Sequence, residues 1–233
     1  MKPIELLAET RAPDGTHITL TRQDREWIIL AAGKPLMSSR MHGSEQALAT
    51  FGCRHVRGDS PRVLVGGLGM GFTLRATLDV LPPDATVVVA ELLPAVVEWN
   101  HGPLGPLATH PLRDPRVHVA LGDVGEVIRR ATPPFDAILL DVDNGPDAFT
   151  ATDNASLYSD RGLADAFRAL RPDGVLAVWS AWEDRRFEQR LKYAGFRVEV
   201  ARVRARLKGG GPRHTIFLAT ARPEVASARL SEG

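Results

Sequence analysis

The segment Arg62–Gly71, RVLVGGLGMG, decides the fold, because an apolar run leads directly into a cluster of glycines. The apolar run is typical of a strand that is buried on both faces of a parallel sheet. The glycines let the next few residues turn tightly and approach a ligand closely, with the N-terminus of a helix facing it. Their spacing, Gly67-x-Gly69-x-Gly71, differs from the Gly-x-Gly-x-x-Gly of dinucleotide-binding enzymes. Alone, this loop leaves a ligand site and an ordinary strand-to-helix turn equally open.

Outward from this segment, short apolar runs alternate with longer amphipathic segments at the intervals typical of βαβ units. The apolar runs predict five buried parallel strands: Arg62–Gly67, Thr86–Glu91, Val117–Leu121, Ala137–Asp141 and Gly174–Ser180. Helical periodicity lies between them, over Phe72–Leu81, Pro94–Asn100, Val124–Ala131 and Asp160–Leu170. A turn is predicted over Arg171–Gly174, directly before the fifth strand.

The C-terminal part is predicted to close the sheet with two further strands. The apolar positions change phase between Phe196–Val200 and Val203–Leu207, so we expect a bulge or break near Ala201–Arg202. A glycine-rich turn then leads into the last strand, His214–Thr220, which we expect to be antiparallel. The fold class predicted is therefore α/β, with a Rossmann-like seven-stranded sheet and an antiparallel last strand.

The N-terminal residues are predicted to form a small β appendage instead of a second full domain. Three short strands are expected there: Ile4–Arg11, Thr16–Thr21 and Trp27–Ala31. A helix is expected to follow over Gly43–Phe51. We accordingly divide the chain into an appendage over 1–41, a Rossmann-like domain over 42–222 and a loose tail over 223–233.

Composition excludes several classes of protein. The 29 basic and 28 acidic residues nearly cancel, which argues against a protein that coats a polyanion. No apolar run is long enough to span a bilayer, and Glu5 and Glu9 interrupt the N-terminal apolar stretch, unlike a secretory signal. A single cysteine, Cys53, excludes an intramolecular disulfide and a metal cage of cysteines. We expect a cytoplasmic globular protein.

Four successive predicted strands end in glycines or a carboxylate. Glu91 ends the second strand, where it can accept hydrogen bonds from ribose hydroxyls, Asp123 follows the third, and Asp141 ends the fourth. Each aspartate could instead cap a helix, and for Asp123 alone the two interpretations are equally open. In open α/β sheets, however, ligands bind at the carboxyl edge, so the whole set favours a shared ligand cleft.

At these residues the chain resembles the class I S-adenosylmethionine-dependent methyltransferase fold, and within it the spermidine synthase (polyamine aminopropyltransferase) family. The resemblance covers roughly residues 26–221. VLVGGLGMG resembles the family's nucleoside loop, VVVAE its ribose-binding strand, VALGD its adenine-contacting turn and AILLDVDNGP its catalytic segment. WIILAAGKPLMSSRMHGSE is similar to the strand, turn and helix start that close its active site.

The resemblance implies a sheet of the methyltransferase type and a set of site residues. The co-substrate would be decarboxylated S-adenosylmethionine, or S-adenosylmethionine itself, with no metal. Its adenosyl group would be bound by Gly67, Gly69, Gly71, Glu91, Asp123 and Val124. Asp141 and Asp143 would be catalytic and would face the reacting amine. The family's habit of dimerising implies a possible homodimer.

The chain departs from the family on the polyamine side of the site. An aspartate that holds the donor's aminopropyl amine is replaced by Gly69 or Met70, and a Tyr-His pair is matched only by Gly43-Ser44. A glutamine expected near Leu36 is also missing. Three functions therefore stay open: aminopropyl transfer to a polyamine or other amine, methyl transfer from S-adenosylmethionine, and idle binding of a nucleoside or polyamine.

The chemistry and the charge distribution favour a small cationic amine as acceptor. Transfer from a sulfonium is an in-line displacement that needs positioning and a base for the amine proton. Asp141 and Asp143 fit this role because alternate residues just past a strand can point the same way. Between Asp136 and Asp160 there are six aspartates and no Lys or Arg, which would attract a cation and repel a phosphate. A solvated acidic loop is the alternative.

Several other residues have weaker signals. Arg185–Arg213 holds ten Lys or Arg against two acids, but no aromatic residues interleave with them as a nucleic-acid platform requires. A solvated or subunit-contacting face is the favoured interpretation. Trp179 and Trp182 are candidate walls of the acceptor pocket, although core packing is nearly as good an explanation for Trp179. His42 and Glu45 are candidates to close over the ligand.

Overall fold

The computed structural model describes residues 3–142, 156–206 and 211–222. Two sheets are present in these residues, one of four strands and one of seven. The seven-stranded sheet carries helices on both faces, which is the arrangement that buried parallel strands require.

The four-stranded sheet is an antiparallel meander near the N-terminus. Its strands are β1 (Glu5–Arg11), β2 (His17–Gln23), β3 (Glu26–Ala31) and β4 (Lys34–Ser38). The β3–β4 turn has positive φ at Ala32 (47°) and Gly33 (75°), as a tight hairpin turn demands. The appendage therefore has four strands and not three. The fourth was missed because its first three residues are exposed and a bulge in its pairing with β3 breaks the alternation.

The seven-stranded sheet follows the predicted class. Its strands are β5 (Arg62–Gly66), β6 (Thr86–Glu91), β7 (Val117–Leu121), β8 (Phe135–Leu140), β9 (Leu170–Ser180), β10 (Phe196–Arg204) and β11 (Arg213–Ala221). They lie in the order β10-β11-β9-β8-β5-β6-β7. Strands β5 to β9 pair in parallel, and β11 is antiparallel to both of its neighbours. The predicted α/β sheet with an antiparallel last strand is confirmed.

In the described residues, six α-helices cover the two faces of this sheet. They are α1 (Gly43–Gly52), α2 (Phe72–Val80), α3 (Pro94–His101), α4 (Val124–Arg129), α5 (Asp160–Ala169) and α6 (Arg185–Tyr193). One core joins buried residues of α1, α2 and α3 to Val63 and Val65 of β5. The other joins α4, α5 and α6 to Leu64. Alternate residues of one central strand thus anchor opposite layers.

The predicted turn over Arg171–Gly174 is wrong, because these residues are part of β9. Leu170 pairs with Phe135 and Val175 pairs with Ala137, so the intervening residues bulge out within the strand. Asp173 accommodates the bulge with a φ of 62°. Turn-forming residues produced a bulge here and did not end the strand.

The predicted break near Ala201–Arg202 is also wrong. Strand β10 pairs with β11 without a shift from Phe196 to Arg204. The phase change has another cause: Phe196 and Val198 pack on the α4–α6 side, whereas Ala201 and Val203 pack on the α1–α3 side. Because β10 is an edge strand, each half of it is covered on a different face.

The part of the chain that the structure describes contains no helix long and apolar enough to cross a membrane.

Candidate active site

The glycine loop between β5 and α2 lies against the chain that leaves β8. Gly67, Gly69 and Gly71 all have positive φ, at 88°, 50° and 82°. A Cβ on Gly67 would lie only 2.4 Å from the carbonyl oxygen of Asp141, so only glycine permits this approach. Leu68 and Met70 alternate with these glycines and are buried, which fixes the loop onto the core.

Glu91, at the end of β6, holds the glycine loop in place. The residue is 8% exposed, and its Oε2 accepts a hydrogen bond from the backbone N–H of Leu68 at 3.0 Å. Its Oε1 accepts from the N–H of Leu93 at 2.9 Å. Burial raises the pKa of this carboxyl, although the backbone donors oppose that shift. The carboxylate is thus engaged by the backbone of the glycine loop and of the segment that follows β6.

Asp123 and Val124 lie where the chain enters α4. Asp123 is the N-cap of that helix, and its Oδ1 accepts from the N–H of Glu126 at 2.9 Å. Asp123 is therefore a helix cap, and this capping hydrogen bond uses one of its two carboxylate oxygens. Val124 is buried against β5, since its Cγ2 lies 2.9 Å from where a Cβ on Gly66 would stand.

Asp141 follows β8, and both its backbone and its side chain are fixed by hydrogen bonds. Its N–H donates to the carbonyl of Gly66 at 2.9 Å, and its Oδ2 accepts from Thr73 Oγ1 at 2.5 Å. Asp141 as a whole is partly exposed, but its carboxyl is surrounded by protein, and the resulting desolvation raises the pKa of this carboxyl to about 6. A carboxyl of that pKa can take a proton from an amine near neutral pH. Asp143, the other predicted catalytic residue, lies outside the described residues.

Glu45, in the first turn of α1, is the second carboxyl of the site. It is 7% exposed and accepts from Ser44 Oγ at 2.7 Å, and that hydroxyl lies 2.8 Å from His214 Nδ1. Desolvation, together with the charge of Asp141, raises the pKa of Glu45 to about 8. Burial also lowers the pKa of His214. The sequence pointed to Glu45 as a cover for the ligand, but it carried no signal that linked Glu45 to His214.

The N-termini of α1 and α2 meet beside these carboxyls. His42, directly before α1, stacks on Phe72, the first residue of α2, with 4.1 Å between ring centroids. Helix N-termini favour negative charge, so both helix ends partly offset the cost of burying the charged forms of Glu45 and Asp141.

Side chains from β4 and β9 reach the same region. Met37 of β4 lies over the glycine loop, with its Cε 2.7 Å from where a Cβ on Gly69 would stand. Trp179 of β9 meets the His214 ring edge to face at 4.6 Å and also packs against the core, so both interpretations of this residue stay open. Trp182 is 42% exposed. The small N-terminal sheet and the large sheet thus both contribute to this region.

Chemically, the site combines a close-packed backbone loop with a pair of carboxyls. Within residues 3–142, 156–206 and 211–222, no group of three or more His, Cys, Asp or Glu side chains could hold a metal ion. In the same residues neither Glu45 nor Asp141 forms a salt bridge with Lys or Arg. The arrangement can accept a proton and can bind a cation.

Comparison with known proteins gives consistent relatives. No family model matches the chain. It is 37% identical over 119 residues to the polyamine aminopropyltransferases of Mycobacterium tuberculosis (strain ATCC 25618 / H37Rv) and Mycobacterium bovis (strain ATCC BAA-935 / AF2122/97). That match covers 50% of this chain but only 22% of each relative, so the chain spans a small part of these longer proteins.

Solved structures match over nearly the whole chain. A spermidine synthase in complex with the transition-state analogue AdoDATO has a TM-score of 0.70 and 18% identity, covering 93% of this chain and 72% of that one. Thermotoga maritima spermidine synthase has a TM-score of 0.71 and 17% identity, with the same coverage. A probable spermidine synthase from Corynebacterium glutamicum ATCC 13032 has a TM-score of 0.59 and 21% identity, covering 94% and 81%. The chain is thus similar to polyamine aminopropyltransferases over half its length and has the fold of spermidine synthases, a class I S-adenosylmethionine-dependent methyltransferase-like fold.

Proposed function

We propose that this chain is an aminopropyltransferase of the spermidine synthase type. It would transfer the aminopropyl group of decarboxylated S-adenosylmethionine to a small cationic amine. The observation that carries the proposal is the contact between the glycine loop and Asp141, which sets a proton-accepting carboxyl against a nucleoside-type loop. The similarity to aminopropyltransferases supports the choice of reaction.

The donor would lie along the carboxyl edge of β5, β6 and β7. Gly67, Gly69 and Gly71 would let its sulfonium end approach the backbone, and Glu91 would accept hydrogen bonds from its ribose. The second carboxylate oxygen of Asp123, together with Val124, would contact the adenine. In support of this, the glycine loop follows β5, Glu91 ends β6, and Asp123 and Val124 begin the helix that follows β7.

The reaction balances with protein side chains alone. The acceptor ammonium loses one proton to Asp141, and its nitrogen lone pair then forms the new N–C bond. The breaking S–C bond leaves its electron pair on sulfur, so the leaving group departs as a neutral thioether. Asp143 would assist as a second carboxylate on the acceptor side. Positioning of the two substrates would supply much of the rate.

Two further proposals concern the setting of the reaction. We propose that the protein works in the cytoplasm as a homodimer, following the habit of the family it resembles. Light scattering on a sizing column tests the dimer. The division into an appendage over 1–41, a catalytic domain over 42–222 and a tail over 223–233 also stays a proposal, which limited proteolysis tests.

The function is tested by ligand binding and then by turnover. We expect decarboxylated S-adenosylmethionine and 5′-methylthioadenosine to raise the melting temperature, and 1,4-diaminobutane to be converted to its aminopropyl product. Asp141→Asn should lower kcat by about 100-fold or more, because general-base catalysis typically contributes that much. The exposed Asp79→Asn is the matched control. Stabilisation by S-adenosylmethionine and S-adenosylhomocysteine, but not by the decarboxylated donor, would contradict aminopropyl transfer and indicate methyl transfer.

A further inference from the structure

Glu45 and Asp141 lie where the starts of α1 and α2 meet. His42, directly before α1, stacks on Phe72 of α2, and the next residue of α2, Thr73, donates a hydrogen bond to Asp141. Glu45 itself is buried. Such an arrangement is costly, because burial penalises the charged form and two negative charges repel each other. Buried acids normally pair with an arginine or lysine. Among the described residues no such partner reaches either carboxyl, so no lysine or arginine of these residues compensates the charge of the pair.

The position of Glu45 is determined by contacts of α1 with the end of β10 and with β11. The N–H of Gly43 donates to the carbonyl of Ala205 at 2.8 Å, which ties the start of α1 to the end of β10. A Cβ on Gly43 would lie 3.0 Å from the carbonyl oxygen of Arg204, so α1 could not approach as closely with another residue there. Ser44 then links Glu45 to His214 on β11.

We propose that Glu45 binds the ammonium group of the acceptor together with Asp141, with Ser44 and His214 as positioning residues. The inference rests on the proposed function, because it takes the acceptor to be an amine. An ammonium has three hydrogen-bond donors and a full positive charge, which suits two neighbouring carboxylates. The site would thereby select cationic amines over neutral acceptors such as alcohols and amides.

A change in protonation accompanies this binding. Before the amine binds, mutual repulsion and burial keep one proton on the Glu45–Asp141 pair. The other titratable groups nearby are His214, which contacts Glu45 through Ser44, and His42, which lies directly before α1. The ammonium supplies the missing positive charge, and the pair then ionises fully. Binding of the amine therefore releases a proton to the solvent, which a structural role for Glu45 would not produce.

Isothermal titration calorimetry tests this with 1,4-diaminobutane and protein saturated with 5′-methylthioadenosine. We expect Glu45→Gln to weaken diamine binding by about 10- to 100-fold, as loss of a charge-assisted hydrogen bond does. Binding of 5′-methylthioadenosine should stay within about twofold, since Gln keeps the shape of the side chain. Repeating the titration in buffers of different ionisation enthalpy should show proton release in the wild type and less in Glu45→Gln. The exposed Glu98→Gln is the matched control.

The outcomes separate the two proposals. Diamine binding and proton release that are unchanged in Glu45→Gln but lost in Asp141→Asn would overturn the role of Glu45 and leave the proposed function standing. A wild-type protein that binds the nucleoside but no diamine would overturn both. If Glu45→Gln fails to fold, Ser44→Ala and His214→Asn carry the test, and unchanged diamine affinity in both would refute the positioning role.

Discussion

Replacement of Gly67 by alanine tests the contact on which the site depends. Gly67 has a φ of 88°, and the new Cβ would lie 2.4 Å from the carbonyl oxygen and 3.1 Å from the carbonyl carbon of Asp141. A non-glycine residue with left-handed backbone costs about 1–2 kcal/mol. The overlap is with main chain and cannot be relieved by rotating a side chain, which adds about 1–3 kcal/mol for overpacking. We expect a total loss of about 2–5 kcal/mol.

Gly58→Ala is the matched control for this substitution. Gly58 has a φ of 98°, close to that of Gly67, but nothing lies within 4 Å of its added Cβ. It should therefore show the backbone cost alone, about 1–2 kcal/mol. The measurement is equilibrium unfolding in urea, followed by tryptophan fluorescence. If Gly67→Ala destabilises the protein no more than Gly58→Ala does, the close approach of the loop to Asp141 is refuted. In the expected case Gly67→Ala also weakens binding of 5′-methylthioadenosine.

Two further predictions concern the carboxyls. Asp123→Asn should keep the cap of α4 and change the free energy of unfolding by less than about 0.5 kcal/mol, whereas Asp123→Ala should lower it by about 1 kcal/mol. Both substitutions should weaken nucleoside binding in calorimetry if the second oxygen of Asp123 contacts the adenine. The pKa of Glu45 is about 8 in the folded state, against 4.5 for the free side chain, so the folded state binds more protons between these two pH values. The contribution of protonated Glu45 to stability is therefore full below pH 4.5 and is lost as the pH rises to 8. Urea unfolding across this range should therefore show a shallower decline for Glu45→Gln, and an unchanged slope would contradict the burial of a protonated Glu45.

The central strands of the large sheet could be predicted because they are buried on both faces. The continuous apolar run Thr86–Glu91 matches a mostly buried strand at both ends. The run Val117–Leu121 also matches a strand at both ends, but the prediction that this strand is buried is wrong, because β7 lies at the edge of the sheet and Val119 and Leu121 are exposed. Helix α6 was missed because only Phe187 and Leu191 of its nine residues are buried, so charged side chains dominate its sequence. Two apolar positions four apart are too few to identify a helical period.

Residues of the candidate site could be predicted only where the local sequence around each one indicates its role. Glycines and carboxylates at strand ends have a meaning that follows from the strand alone, which is why Gly67, Glu91 and Asp141 could be named. Glu45 and His214 come from opposite ends of the chain, and only the packing of α1 between α2 and β10 joins them to Asp141. No local pattern encodes that packing. The missing polyamine-side residues of the family therefore suggested an eroded site, whereas the role proposed for Glu45 and His214 gives that side other carboxyl and imidazole groups.

The uninterrupted edge strand β10 has a consequence for the behaviour of the protein in solution. Its unpaired backbone would be a template for another chain, but its exposed positions are mostly charged: Arg197, Glu199, Arg202 and Arg204. A second molecule that added a strand there would have to strip water from these side chains and bring like charges together. The arginines that first suggested a surface for other molecules therefore protect this end of the sheet from aggregation.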